Sequence, residues 1–186
     1  MAQPPGIPGR WARSGLRKHV QSQQIDHLAS RGAKQMTTDY WQLVDPVWDS
    51  LVEWDTIPGF QFAFAAADPP ARTLFAAHWL YSEVCNGGFK QFYWNTTGIL
   101  APEAANAFES IGMPRTVEII RRSMSWFPPP YPRERQTRIE LLDAYDFSRP
   151  ARDGPFDSLD VEFYDVVESE NGGFVRAANE FAGRYL

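Results

Sequence analysis

Two copies of one short motif constrain this chain most. Asn86-Gly87-Gly88-Phe89 follows an apolar run in the middle of the sequence, and Asn171-Gly172-Gly173-Phe174 lies near its C-terminus. Adjacent glycines give the backbone ready access to positive φ, and asparagine tolerates the same region, so one helix can stop and another start within a few residues. Each copy has an acidic residue upstream, Glu83 and Glu168. The motif therefore marks a helical corner used twice, with the two glutamates placed to brace it. Asn-Gly is also a hairpin signal, but neither flank alternates as a strand does. A phosphate loop is excluded as well: GxGxxG and the GxxxxGK[ST] lysine are missing, and the glycines follow a helix.

Periodicity around the corners predicts an all-α fold. With Thr38 or Asp39 as N-cap, Tyr40, Trp41, Val44, Val47, Trp48, Leu51 and Val52 recur at helical spacing. Pro46 inside this run predicts a kink or break at Asp45. The opposite face carries Asp45, Asp49 and Glu53 in one i,i+4 line. Ile57-Pro58-Gly59 is expected as a turn leading to a short Phe/Ala-rich piece, and Asp68-Pro69-Pro70 as a cap with prolines at the first helical positions. Residues 70–85 are apolar enough to form the central, mostly buried helix, which Gly87-Gly88 ends before a short helix over 89–95.

Pro102 opens the next helix and Gly112 closes it, and another spans roughly 114–126, with Arg121 and Arg122 near its C-terminal end where cations complement the dipole. Pro128-Pro129-Pro130-Tyr131-Pro132 is expected as a stiff spacer, followed by a charged helix pairing Glu134 with Arg138. Beyond a loop over 150–154, Phe156, Leu159, Phe163 and Val166 define an amphipathic helix, and Phe174, Ala178, Phe181 and Tyr185 a last one. The expectation is a single compact all-α domain of about seven helices over residues 37–186.

Charge divides the chain. Residues 1–36 carry Arg10, Arg13, Arg17, Lys18, Arg31 and Lys34 against Asp26 alone, so the remainder is far more acidic than the whole-chain net charge of −5. That basic tail opens Pro4-Pro5-Gly6-Ile7-Pro8-Gly9, lacks a sustained apolar period and is expected to be disordered. It is either an arm for nucleic acid or a segment upstream of a true start at Met36. No apolar run reaches the ~18 residues of a membrane helix and no secretory h-region is present, so a cytoplasmic protein without a membrane partner is expected. Cys85 is the one cysteine, and His19, His27 and His78 have no metal-ligand spacing, so neither metal nor other cofactor is implied.

Catalytic constellations are weak. His78 and Ser82 are one turn apart, but Glu83 and Cys85 fall out of reach of the imidazole, which leaves a structural histidine. The amides of Asn86, Gln91 and Asn95 could bind a ligand; the simpler expectation is that they satisfy backbone groups freed at helix ends.

The motif residues Glu83, Asn86, Gly87, Gly88, Phe89, Gln91, Phe92, Tyr93, Asn95 and Gly98, with Ala101-Pro102-Glu103-Ala104, resemble the core of the DNA-mimic-protein family, domain of unknown function 4375. Ile111-Gly112 and Trp126-Phe127-Pro128 extend the likeness, while Tyr93 stands where phenylalanine is common. The resemblance implies an all-α fold and a non-enzymatic role, with at least one member acting as a dimeric DNA mimic that covers the DNA-binding face of a transcription factor. It casts the motif residues as fold determinants, not as the mimic surface.

The acidic surface must then lie elsewhere. Asp157, Asp160, Glu162, Asp165 and Glu168 mark the outer face of the late helix, and no basic residue occurs between Asp153 and Val175. Duplex DNA presents one charge per ~1.7 Å of axis, whereas an i,i+4 row gives one per ~6 Å. Two acidic helices, or two subunits of a homodimer, must therefore combine. The candidate surface is Asp45, Asp49 and Glu53 together with the late-helix residues, and the expected partner is a basic DNA-binding protein, with no direct nucleic acid binding by the body. The alternatives are an antitoxin or immunity-like protein and a small-molecule enzyme using residues 83–95.

Overall fold

The computed structural model describes residues 39–52, 56–145 and 154–186. The tail, Thr38, Glu53 and the loop over 150–153 lie outside the described residues. Among the described residues there are eight α-helices and no strand: α1 (Trp41–Val52), α2 (Ile57–Ala66), α3 (Pro69–Trp94), α4 (Ala101–Ser110), α5 (Pro114–Met124), α6 (Arg135–Ala144), α7 (Asp157–Ser169) and α8 (Phe174–Ala182). The all-α expectation holds.

Helix α3 is the hub, with α1, α4, α6, α7 and α8 all packed against it. Its side chains explain why: Leu74, Phe75, Ala76, Ala77, Leu80, Val84, Phe89, Phe92 and Tyr93 are buried, and burying each large apolar side chain is worth about 1.5–3 kcal/mol. At Gly87-Gly88 the helix is interrupted, Gly87 taking φ −161° and Gly88 φ 74° with ψ 177°. The second half then runs in a new direction to Trp94, and a 3₁₀ turn (Thr96–Leu100) leads into α4.

Three local expectations are corrected. Pro46 does not break α1; Pro46 and Gln42 are both exposed, so the carbonyl that loses its amide partner faces water. The Phe/Ala-rich piece is a full helix, because Thr56 caps it by accepting the Gly59 N–H at 3.2 Å and Pro58 sits in its first turn. Arg138 does not use its guanidinium on Glu134: it is completely buried and donates to the carbonyls of Tyr93, Asn95, Pro132 and Arg133 at 2.7–3.2 Å. Asp68 occupies the N-cap position of α3 but makes no side-chain cap.

Candidate interaction face and the corner that positions it

A polar cluster spans the first corner. Glu83, 9% exposed, accepts from Gln91 Nε2 at 2.7 Å and Asn95 Nδ2 at 2.8 Å through one oxygen, and from Thr97 Oγ1 at 3.3 Å through the other. Asn86 Nδ2 in turn donates to Gln91 Oε1 at 3.2 Å. The three amides therefore serve a buried carboxylate and each other, not the freed backbone groups expected from the sequence. With its carboxylate satisfied by neutral donors, Glu83 ties the two halves of α3 together as a brace.

The backbone ends are closed by other residues. Asp160 on α7 accepts the Phe89 N–H through Oδ1 at 2.7 Å, capping the second half of α3 from another helix. A Cβ at position 88 would run into that carboxylate, so Gly88 is required both by its positive φ and by Asp160. At the opposite end, Arg138 Nε reaches the Tyr93 carbonyl and Arg135 Nε the Trp94 carbonyl at 2.8 Å. These cations lie at the negative pole of the helix. Gly98 is obligatory for the same clamp, since a Cβ there would meet the Phe92 carbonyl at 2.8 Å and Arg138 Nε at 2.9 Å.

The C-terminal echo repeats part of this geometry. Gly173 (φ 93°, ψ 159°) matches Gly88, and each is followed by a buried phenylalanine that begins a helix, Phe174 and Phe89. Here Glu170, immediately before the motif, performs the capping: it accepts the Arg115 and Thr116 N–H groups at 2.7 and 2.8 Å and so closes the N-terminus of α5. Glu168 is not equivalent to Glu83; it is exposed and accepts from the Tyr81 hydroxyl at 3.1 Å. The capping roles of Asp160 and Glu170 were missed from sequence, because each joins elements more than fifty residues apart.

With Asp160 turned inward, the rotation of α7 about its axis is set. Asp157, Val161, Tyr164, Asp165 and Glu168 face outward, while Leu159, Phe163, Val166 and Val167 are buried. Asp157 accepts the Gly154 N–H at 2.7 Å, and Glu162 is held by Arg122 at 2.8 Å. Asp165 makes no ion pair among the described residues. Burial raises the Asp160 carboxyl to about 6, against the lowering effect of the Phe89 N–H. Of the late-helix acids, Asp157, Asp165 and Glu168 thus form an exposed row, Asp160 is a cap and Glu162 is paired.

Asp45 and Asp49 are exposed on α1. That helix packs on α3 through Trp41 and Trp48 against Phe75, His78 and Trp79, whereas α7 meets α3 through Phe163 on Phe89 and Tyr164 on Val84. The two acidic helices therefore lie on successive stretches of one hub.

The His78 imidazole is buried among Tyr40, Trp41, Trp48 and Trp79, with the Tyr40 hydroxyl 3.0 Å from Nδ1. Desolvation lowers it to about 3. Among the described residues no cluster of His, Cys, Asp or Glu could hold a metal ion, and no helix is long and apolar enough to cross a membrane.

No curated protein and no solved structure shows a match to this chain. A family model, described as DMP19-like protein, matches residues 65–184, which takes in both glycine corners, the arginine clamp and all of α7. The chain belongs to the DMP19-like protein family.

Proposed function

We propose that this protein is a non-enzymatic DNA mimic that presents carboxylates to a basic DNA-binding protein, such as a transcription factor, and competes with DNA for it. The observation that carries the reading is the exposed row of Asp157, Asp165 and Glu168 on α7, in a chain whose family is that of DMP19-like proteins. Four arginines pair with glutamates outside that row, Arg121 with Glu109, Arg122 with Glu162, Arg133 with Glu103 and Arg176 with Glu180. Arg72, Arg135 and Arg138 donate to main-chain carbonyls, so their guanidinium groups fix helix ends and are not spent on the Asp157, Asp165 and Glu168 row.

A single row is sparse beside DNA. Asp157 and Asp165 are about 12 Å apart along the helix axis, so the reading requires a second row, from Asp45 and Asp49 or from α7 of a second copy in a homodimer. Reading residues 83–95 as an enzyme site has less support, because the polar groups there are bonded to one another.

The test is capture from lysate of the native host at low salt, with duplex DNA as competitor and mass spectrometry of what is displaced. The expected result is a DNA-binding protein that elutes with DNA and with rising salt, and that the triple variant Asp157→Asn, Asp165→Asn, Glu168→Gln retains more weakly. Retention that ignores both salt and DNA would overturn the proposal.

A further inference from the structure

Two apolar side chains interrupt the carboxylate row on α7. Val161 is 62% exposed and Tyr164 38%. Val161 lies one helical turn from Asp157 and one from Asp165. Tyr164 is fixed in place, because its hydroxyl donates to the Val84 carbonyl at 3.1 Å. A face made only for water gains nothing from a bare β-branched residue at its centre, where helix propensity also suffers. Duplex DNA shows the same mixture in its major groove: thymine methyls lie between the phosphate rows, and DNA-reading helices set apolar side chains against them.

Building on the mimic reading above, we infer that α7 copies a groove edge as well as a phosphate row. Val161 stands for a thymine methyl between the carboxylates of Asp157 and Asp165. The occupant is the groove-reading helix of a DNA-binding protein, carrying an apolar side chain flanked by lysine or arginine. Charge fixes the sign of that partner, since the sequence holds no basic residue between Asp153 and Val175 and, among the described residues, the ion pair on α7 is Glu162 with Arg122.

Two synthetic helical peptides of equal positive charge test this, one with leucine between its arginines and one with serine, titrated into the full chain at several salt concentrations. The leucine peptide should bind about five- to tenfold more tightly, the scale of one partly buried aliphatic side chain, and Val161→Ser should abolish that preference while leaving the salt dependence unchanged. Val161 is exposed, so the variant should keep its fold, as circular dichroism would verify. Equal binding of the two peptides by the unmodified chain overturns the methyl assignment while leaving the carboxylate row intact. If neither peptide is weakened by Asp157→Asn with Asp165→Asn, the acidic-face reading fails with it.

Discussion

The Asp160 carboxylate on α7 accepts the Phe89 N–H across 2.7 Å, so one hydrogen bond joins the glycine corner to the helix that carries the acidic row. Asp160→Ala should destabilise the protein by about 0.5–2 kcal/mol, the range for loss of an N-cap, and Asp160→Asn by less, both read by urea denaturation. The variants should also differ in pH response. The folded carboxyl is raised to about 6, so its protonation favours the fold: that contribution is complete below the unfolded value near 4 and is lost as pH rises through 6. Asp160→Asn should remove this decline between pH 4 and 6.

His78 works in the opposite direction. Its folded imidazole is lowered to about 3, whereas the unfolded chain takes up a proton near pH 6.5. Stability is therefore complete above pH 6.5 and falls as pH drops toward 3, by at most about 1.4 kcal/mol per unit. An NMR titration should show the His78 ring neutral at pH 5, and a midpoint near 6.5 would contradict its burial among Tyr40, Trp41 and Trp48.

Gly98 and Arg138 form one unit. Gly98→Ala drives a methyl into the Phe92 carbonyl and Arg138 Nε, and should cost about 1–3 kcal/mol as overpacking does. Arg138→Met removes the donors to four carbonyls and should cost more, about 3 kcal/mol or greater for so many buried acceptors left unpaired. A double-mutant cycle between the two sites should be clearly non-additive; additive losses would mean that the clamp does not depend on the glycine.

Glu83→Ala should leave the Gln91 and Asn95 amides without their acceptor and lower stability by about 1–3 kcal/mol. The variant should still bind the partner in proportion to its folded fraction. Loss of binding with full stability would instead make residues 83–95 a functional site.

The helices, the corner at Gly87-Gly88 and the burial of residues 74–84 were legible because they follow from local periodicity and glycine chemistry. Helix α2 was not: Phe60 is buried while Phe62 is 79% exposed, and a run of Phe and Ala without charges shows no polar face to reveal its period. Asp160 looked like another surface acid because its sequence neighbours are acidic; only tertiary packing brings it to Phe89. Arg138 was misread for the related reason that an i,i+4 glutamate is visible in sequence, whereas the carbonyls at the end of α3 are not. The candidate face itself was legible as a charge pattern, but its apolar centre at Val161 becomes visible only once α7 is oriented.

The most direct test of the account is the salt dependence of binding to a DNA-displaceable partner, measured for the unmodified chain and for Asp157→Asn, Asp165→Asn, Glu168→Gln. The account predicts a steep fall in affinity with salt that flattens in the triple variant, with duplex DNA competing in both cases. An identical slope for the two proteins would show that the α7 carboxylates do not meet the partner.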